Sequence, residues 1–423
     1  NHIKKELKSK INNLYEVNWK GEETLVTHTI WKNNQPIEVW YTVNNSKKKL
    51  IRKGTEIDIS KSTFPSIEPK WYPTTTMYEN SRLNVTRGQS VSDLFTPRAL
   101  VGLSLIRNEI EKISDEDIKN ALELTLTGTL SQASNLVFVI RRRKKNEDKP
   151  AKAEVGSWVI GYWIPEEHFE INVWNCFENR YKRILKGEKE INSIFDQKPL
   201  DYLDTSVSLY NTSATSLPME NNSIDYVFID PPHANRILYV EQSLMWNSWL
   251  KLDKTIQWDN EIIVSEAKKR KEKNVDNYHY LLDIAFSEIK RVLKSDKYFS
   301  MAFNCLDDNT WIKILNLFIK HGFTIADITP LEYSATSVVQ DNRKNALKTD
   351  FVLTFRNSNL TGSAEIHFRD DYSDLTTKVV DLLNHHPEYE VYNVMNELFK
   401  QTIPAGYIYK VSDVIKACKR FMV

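Results

Sequence analysis

An apolar run, Ile224-Asp225-Tyr226-Val227-Phe228-Ile229, stops at Asp230-Pro231-Pro232-His233. Residues of high β propensity followed by two prolines read as a strand with a fixed end, because proline brings no N–H to a ladder and locks its own φ. A turn-like Glu220-Asn221-Asn222-Ser223 marks the other end. In open α/β sheets, ligands lie beyond the carboxyl ends of the strands. Asp230 falls at such an end.

The surrounding rhythm extends this reading. From Val207 the chain alternates strand, loop, helix and strand. Val207-Ser208-Leu209-Tyr210 predicts a short strand, and Tyr280 to Leu293 an amphipathic helix. A strand follows over Tyr298 to Phe303, then a helix over Trp311 to His321. Gly322 stops that helix, since glycine adopts the left-handed cap without strain. Phe323 to Ile328 and Phe351 to Phe355 predict the last strands of a layered α/β region. Gly362-Ser363 marks a boundary, after which helices are expected near 374–384, 389–401 and 411–421.

The N-terminal half has a different pattern. Residues 3–14 predict a short basic helix. Thr24 to Ile59 alternates in hydrophobicity, punctuated by Asn33-Asn34 and Asn44-Asn45, which predicts an antiparallel meander. Phe64 to Pro73 is Pro-rich and extended. Asp93-Leu94-Phe95-Thr96-Pro97 opens a helix, with Asp93 or Thr96 as cap and Pro97 in the first turn. Helical patterning continues to about Val139, and the aromatic-rich Trp158 to Trp174 predicts a hairpin. Four regions result: 1–60, 61–200 (a helical, aromatic-rich insertion and candidate target-recognition region), 201–360 and 361–423.

Composition narrows the function classes. At 423 residues the chain is long enough for two or three domains. Its formal net charge of +1 provides no global field for nucleic acid, so any such binding uses local patches. Arg141-Arg142-Arg143-Lys144-Lys145 is one patch, read either as a solvated loop or as a phosphate-contacting one. Lys268-Lys269-Arg270-Lys271 allows the same two readings. Cys176, Cys305 and Cys418 are far apart with no CxxC pair, which argues against a disulfide framework or zinc cluster and fits a reducing cytosol. No apolar run reaches membrane-spanning length and no signal peptide is visible. The first residue is Asn1 and not Met, which fits a fragment, a processed product or one piece of a split protein.

Asp-Pro-Pro-His has a specific chemical use. A carboxylate beside a peptide carbonyl accepts both hydrogens of an exocyclic amine and leaves the nitrogen lone pair aimed at an electrophilic methyl group. A planar side chain at the fourth position stacks on a base extruded from its duplex. The plainer alternative is a structural Pro-Pro turn with Asp230 as a cap. The apolar strand and its turn-like lead-in favour the functional reading.

On these residues the chain resembles the DPPY-type S-adenosylmethionine-dependent amino-methyltransferases, which modify adenine N6 or cytosine N4, and among them the large bacterial DNA methylases. The resemblance covers most of 60–357. It rests on Asp93 to Arg98 with Leu100, on Asn211 to Pro218 with Ile224-Asp225-Tyr226, and on Asp230 through Tyr239-Val240-Glu241 to Leu250. Glu288 to Lys294 with Phe303-Asn304, and Thr349 to Phe355, complete it. It implies that Asp230 and Pro231 bind the target amine, that Pro232 completes the motif and that His233 stacks on the base. Asn235, Arg236, Tyr239 and Glu241 would line the base or cofactor side, while Trp246 and Trp249 read better as helix packing. Ser213 and Ala214 stand where such enzymes often carry an acidic residue near the cofactor adenine, with Asp230 close to the same ligand.

The family's cofactor also requires a glycine-rich turn after the first strand, because its amino-acid end lies against backbone. The eleven glycines here are isolated and none forms G-x-G. The fold expected is α/β, with a Rossmann-like methyltransferase sheet holding strands equivalent to the third through seventh. An N-terminal β meander, a helical insertion and a small C-terminal helical module would accompany it. The meander stands where the family often carries a zinc ribbon, and without cysteines it is expected to be a metal-free remnant. The expected partners are DNA and a second subunit or upstream segment carrying the glycine-rich motif. Two functions compete: a DNA methyltransferase completed by that missing piece, and a nucleic-acid-binding or assembly subunit that has lost the cofactor.

Overall fold

Alternating residues near the N-terminus build four consecutive strands, β1 (Glu16–Trp19), β2 (Glu22–Lys32), β3 (Gln35–Val43) and β4 (Leu50–Arg52). Asn33 and Asn34 both carry positive φ in the β2–β3 turn, the backbone a two-residue hairpin requires. The computed structural model describes residues 2–44, 46–141, 152–158, 161–195, 207–234, 237–305, 307–331, 350–358 and 365–421. These fall into two compact units, one of residues 1–208, 239–258 and 266–269, the other of 209–238, 259–265 and 270–423.

In the first unit β2 pairs on its far side with β7 (Glu167–Ile171), which also meets β5 (Val137–Arg141), and β5 pairs with β6 (Ala153–Trp158). The seven-stranded sheet has the order β4-β3-β2-β7-β5-β6 with β1 on β2, is antiparallel at every pairing and curls as a half-barrel. Ile30, Trp40, Val137, Phe169 and Ile171 form part of its core.

Among the described residues, five α-helices of this unit precede residue 208: α1 (His2–Asn13), α2 (Glu56–Thr63), α3 (Pro97–Glu111), α4 (Glu116–Ala133) and α5 (Val173–Phe195). Thr96 caps α3 by accepting from the Ala99 N–H, with Pro97 in the first turn. The helical pattern expected to run to Val139 breaks after α3. Asp115 then caps α4 through the Ile118 N–H. One more helix, α6 (Tyr239–Trp249), belongs to this unit.

A buried ion pair organises the start of α3. Arg98 donates from Nε and Nη2 to the two carboxylate oxygens of Glu170 on β7, both at 2.8 Å. Thr96, Trp31 and Ser62 also donate to that carboxylate. Burial works against charge on Glu170, but the Arg98 guanidinium outweighs it and holds the carboxyl below its usual range.

The second unit contains a four-stranded mixed sheet in the order β10-β11-β9-β8. Its strands are β8 (Ile224–Ile229), β9 (Leu293–Phe303), β10 (Phe323–Pro330) and β11 (Phe351–Asn357). Only β8 and β9 are parallel neighbours; β11 is antiparallel to β9 and to β10. Helices α7 (Val275–Val292) and α8 (Asp308–Lys320) contribute to one core with this sheet. The terminal elements join the same core: β12 (His367–Phe368), α9 (Tyr372–His385), α10 (Val391–Thr402), β13 (Tyr407–Ile408) and α11 (Val411–Phe421). Gly322 follows α8 with φ 73°.

The Rossmann-like parallel sheet expected from the sequence is not the architecture. The main sheet is wholly antiparallel and is built from residues before 172; the smaller sheet contains one parallel pairing. Among the described residues, the strand–helix rhythm after Val207 gives the four-stranded sheet one parallel crossover, from β8 to β9, and a separate parallel pair of β12 with β13. The larger sheet was hidden because β2 finds β7 across a long sequence interval. Two local expectations change with it. Residues 207–210 form no strand, and Leu209 is almost fully exposed. Within the expected hairpin from Trp158 to Trp174, β6 and β7 do not pair with each other; β5 pairs with both.

Candidate functional site

The Asp-Pro-Pro-His segment leaves the carboxyl end of β8, where Ile229 sits beside Met301 of β9. Val227 and Ile229 face the core, while the intervening residues face outward. Two consecutive prolines end the ladder, and Pro231 is buried. The Asp230 side chain is 65% exposed. A carboxylate in that setting is accessible to a ligand.

The turn beyond it is tied down through one carbonyl. Pro232 O accepts from the Tyr278 hydroxyl at 2.8 Å and from the Ala234 N–H at 2.9 Å. Ala234 carries φ 52°, and its own carbonyl accepts from the Val264 N–H at 3.2 Å. Burial raises the Tyr278 phenol well above its usual value, so it remains a donor throughout the neutral range.

A charged clamp holds the strand of chain that reaches Ala234. Arg270 pairs with Glu261 at 2.8 Å, and both are nearly sealed from solvent. Lys273 donates to the Asp259 carbonyl and, at 2.9 Å, to the Glu261 carbonyl. Ser265 N in turn donates to the Lys273 carbonyl at 2.8 Å. Burial, with Arg270 beside it, lowers the Lys273 ammonium from its ordinary value.

His233 is folded back toward the sheet. Its side chain is 12% exposed, with Nε2 3.5 Å from Asp230 Oδ1 and 3.4 Å from the Ala302 carbonyl. Its ring meets Phe303 edge-on at 5.4 Å. A single Nε2 hydrogen can serve one acceptor at a time. In this arrangement the imidazole lies against the sheet, with Nε2 near the Ala302 carbonyl and Asp230, and stacking on a base requires it to rotate outward.

The expected cofactor residues lie in a polar turn. Ser213 Oγ sits 2.8 Å from Thr215 Oγ1 and accepts from the Thr215 N–H at 3.2 Å, while Ala214 is exposed. This turn leads to a clamp on α7. Leu217 N donates to Glu288 at 2.8 Å, and Arg291 donates to Glu288 and to the carbonyls of Leu217 and Met219. The Arg291 hydrogen bond, helped by Leu217 N, lowers the Glu288 carboxyl to about 2.

The other expected residues lie elsewhere. Tyr239 and Glu241 belong to α6 of the first unit, whereas Asp230 to His233 belong to the second. Glu241 is buried and accepts from Asn80 Nδ2 at 2.7 Å, and its backbone carbonyl accepts from the Tyr162 hydroxyl. Trp249 is fully buried and Trp246 donates to the Thr127 carbonyl, so both pack α6. Arg141 pairs with Glu167 at 2.9 Å at the end of β5. Arg142, Arg143, Asn235 and Arg236 lie outside the described residues.

Sequence reasoning gave no role to Tyr278 or Lys273 and placed Glu288 only in a helix of the resemblance; Arg270, read within a basic run as solvated or phosphate-contacting, is instead buried on Glu261. The signal for Tyr278 was its place on the apolar face of α7; nothing local showed that its hydroxyl meets Pro232. Among the described residues no group of three or more His, Cys, Asp or Glu could hold a metal, and no helix is long and apolar enough to cross a membrane.

The residues present do not by themselves fit S-adenosylmethionine. Its amino-acid end needs close backbone approach at a glycine turn, and the isolated glycines provide none. Ser213 satisfies its hydroxyl within its own turn. Comparison with protein-family models gave no match, and a search of curated proteins gave none either.

Proposed function

We propose that this chain supplies the amine-gripping part of a DNA amino-methyltransferase, acting on adenine N6 or cytosine N4. Its S-adenosylmethionine site would be completed by another segment or a partner subunit. The observation that carries this reading is an exposed Asp230 carboxylate at the end of β8, on a turn braced through the Pro232 carbonyl. Tyr278 and Ala234 occupy the Pro232 carbonyl. On the family resemblance, the Pro231 carbonyl would join Asp230 in accepting the two amine hydrogens. Catalysis of this kind is mainly positioning, which a pre-set carboxylate and carbonyl provide.

A second observation supports the need for a completing piece. β8 is the last strand of its sheet, and no described strand pairs with its outer side. Tyr226 and Phe228 on it are 53% and 57% exposed. An open apolar edge of this kind is normally covered.

The competing reading is a nucleic-acid-binding or assembly subunit without catalysis, favoured by the isolated glycines. One experiment separates the two. The assembly isolated through this chain from its own cells is assayed for methyl transfer from S-adenosylmethionine to DNA, with Asp230→Ala as comparison. The methyltransferase reading expects transfer that falls at least a hundredfold in the variant. No transfer supports the binding subunit, and equal transfer removes Asp230 from the chemistry. The isolated chain is expected to bind S-adenosylmethionine no better than millimolar; micromolar binding overturns the requirement for a completing piece.

A further inference from the structure

We propose that α1 and α5 together form a docking surface for the phosphate backbone of duplex DNA. The surface is separate from Asp230, and the proposal stands whether or not that residue grips an amine.

The two helices carry nine Lys and Arg side chains against four Glu. That surplus of five sits on a chain whose formal net charge is only +1, so the remaining residues are acid-rich and the positive field is concentrated here.

Packing gathers these cations. Lys4 of α1 lies over the Tyr181 ring of α5 at 5.0 Å and 3.5 Å from the Glu178 carboxylate. Lys182 reaches the same carboxylate at 3.2 Å. Burial works against charge on Glu178, but Lys182, Lys8 and Lys4 outweigh it and hold the carboxyl below its usual range. Three ammonium groups therefore share one carboxylate, and two positive charges stay unbalanced. Lys186 and Lys189 follow Lys182 at i+4 and i+7, on the same side of α5. Lys186 meets Glu190 at 3.5 Å, while Lys5, Arg183 and Lys189 have no ion-pair partner among the described residues. Lys182 and Lys186 are 62% and 79% exposed, and pairs this open hold weakly enough to exchange for a phosphate.

The surface suits a duplex in charge and in texture. Lys182 to Lys189 spans about 10 Å of helix, over which a duplex carries about six negative charges. Asn175, Asn179 and Ser193 share the side of α5 that holds Lys182 and Lys186, and they offer hydrogen bonds to phosphate. A bilayer-bound helix needs apolar side chains to insert beside its cations. In the half of α5 that meets α1, Trp174 and Phe177 are already buried in the protein.

Fluorescence anisotropy of a labelled DNA duplex, titrated with the full chain between about 50 and 200 mM salt, tests this. The expected result is reversible binding with a log affinity–log salt slope of about −4. The triple variant Lys182→Ala, Lys186→Ala, Lys189→Ala should make that slope shallower by about three and weaken binding at least tenfold. Removing three lysines of the other unit instead (Lys400→Ala, Lys416→Ala, Lys419→Ala) should change affinity less than about threefold, which separates a local surface from total charge. Asp230→Ala should bind the duplex as wild type does, so failure of this proposal and failure of the amine grip are told apart. Absence of duplex binding at the lowest salt overturns the proposal, as does an equal loss in the two triple variants. Binding to phosphatidylserine vesicles without binding to DNA would assign the surface to a membrane, and equal competition by polyglutamate would assign it to an acidic protein; either overturns it.

Discussion

Replacing Glu170 removes the acceptor of five donated hydrogen bonds at once. Arg98 supplies two of them at 2.8 Å, Thr96 one at 2.8 Å, Trp31 one at 2.9 Å and Ser62 one at 3.2 Å. Both charged side chains are at most 1% exposed. Deleting one member of a buried pair costs about 3–5 kcal/mol, because the remaining charge is left in low dielectric. The three neutral donors add roughly 1 kcal/mol each where water cannot replace the acceptor. Glu170→Ala is therefore expected to lose about 5 kcal/mol or more, comparable with the whole stability of a small domain. Glu170→Gln keeps the shape but strands Arg98, and about 3 kcal/mol is expected. Changing both to methionine removes both desolvation penalties but still leaves the three neutral donors without their acceptor, so the double variant should lose no more than roughly 3 kcal/mol and be more stable than Glu170→Ala. Urea unfolding followed by tryptophan fluorescence and circular dichroism measures these differences, with the transitions of the two units fitted separately. Trp31 touches the carboxylate and reports the first unit directly. A Glu170→Gln loss below about 0.5 kcal/mol, the range of ordinary surface changes, would refute the argument.

Three further outcomes follow from single residues. A Cβ on Gly54 would stand 1.8 Å from the Pro36 carbonyl oxygen, so Gly54→Ala should cost about 1–3 kcal/mol in the same urea assay; no loss would contradict that close approach. His28, tilted against Trp40 and edge-on to Phe169, is pushed down to about 3 by burial. The unfolded chain protonates this ring first. Its contribution is complete above about pH 6.5 and disappears towards pH 3, by up to about 1.4 kcal/mol per pH unit; His28→Phe should flatten that slope. Tyr278→Phe removes one of two donors to the Pro232 carbonyl and should destabilise the second unit by about 1 kcal/mol, with faster amide exchange at Ala234. Unchanged exchange there would mean that the hydroxyl does not brace the turn.

What could be read from the sequence was local. Thr96 and Pro97 announce the start of α3, Gly322 follows α8 in the left-handed region, and the prolines end β8 at Asp230. Each depends on a few adjacent residues whose backbone preferences agree. The large sheet was not legible, because Trp31 of β2 lies opposite His168 of β7 and no short-range pattern records such a partner. The pattern at 207–210 misled for the same reason: β propensity without a neighbouring strand makes no strand. In the candidate site, Asp230 and its prolines were visible as a strand end. The Arg270–Glu261 pair and the Tyr278 hydroxyl were not, since their roles depend on which loop they meet.

The grip on an exocyclic amine can be measured without any cofactor. Single-stranded oligonucleotides carrying adenine or purine, and cytosine or 2-pyrimidinone, differ only by the amino group. Two accepted hydrogen bonds contribute about 1–3 kcal/mol together, so one amine-bearing member should bind roughly tenfold tighter than its partner, and Asp230→Ala should erase the difference. Equal affinities within both pairs, or a preference that survives Asp230→Ala, would contradict the account.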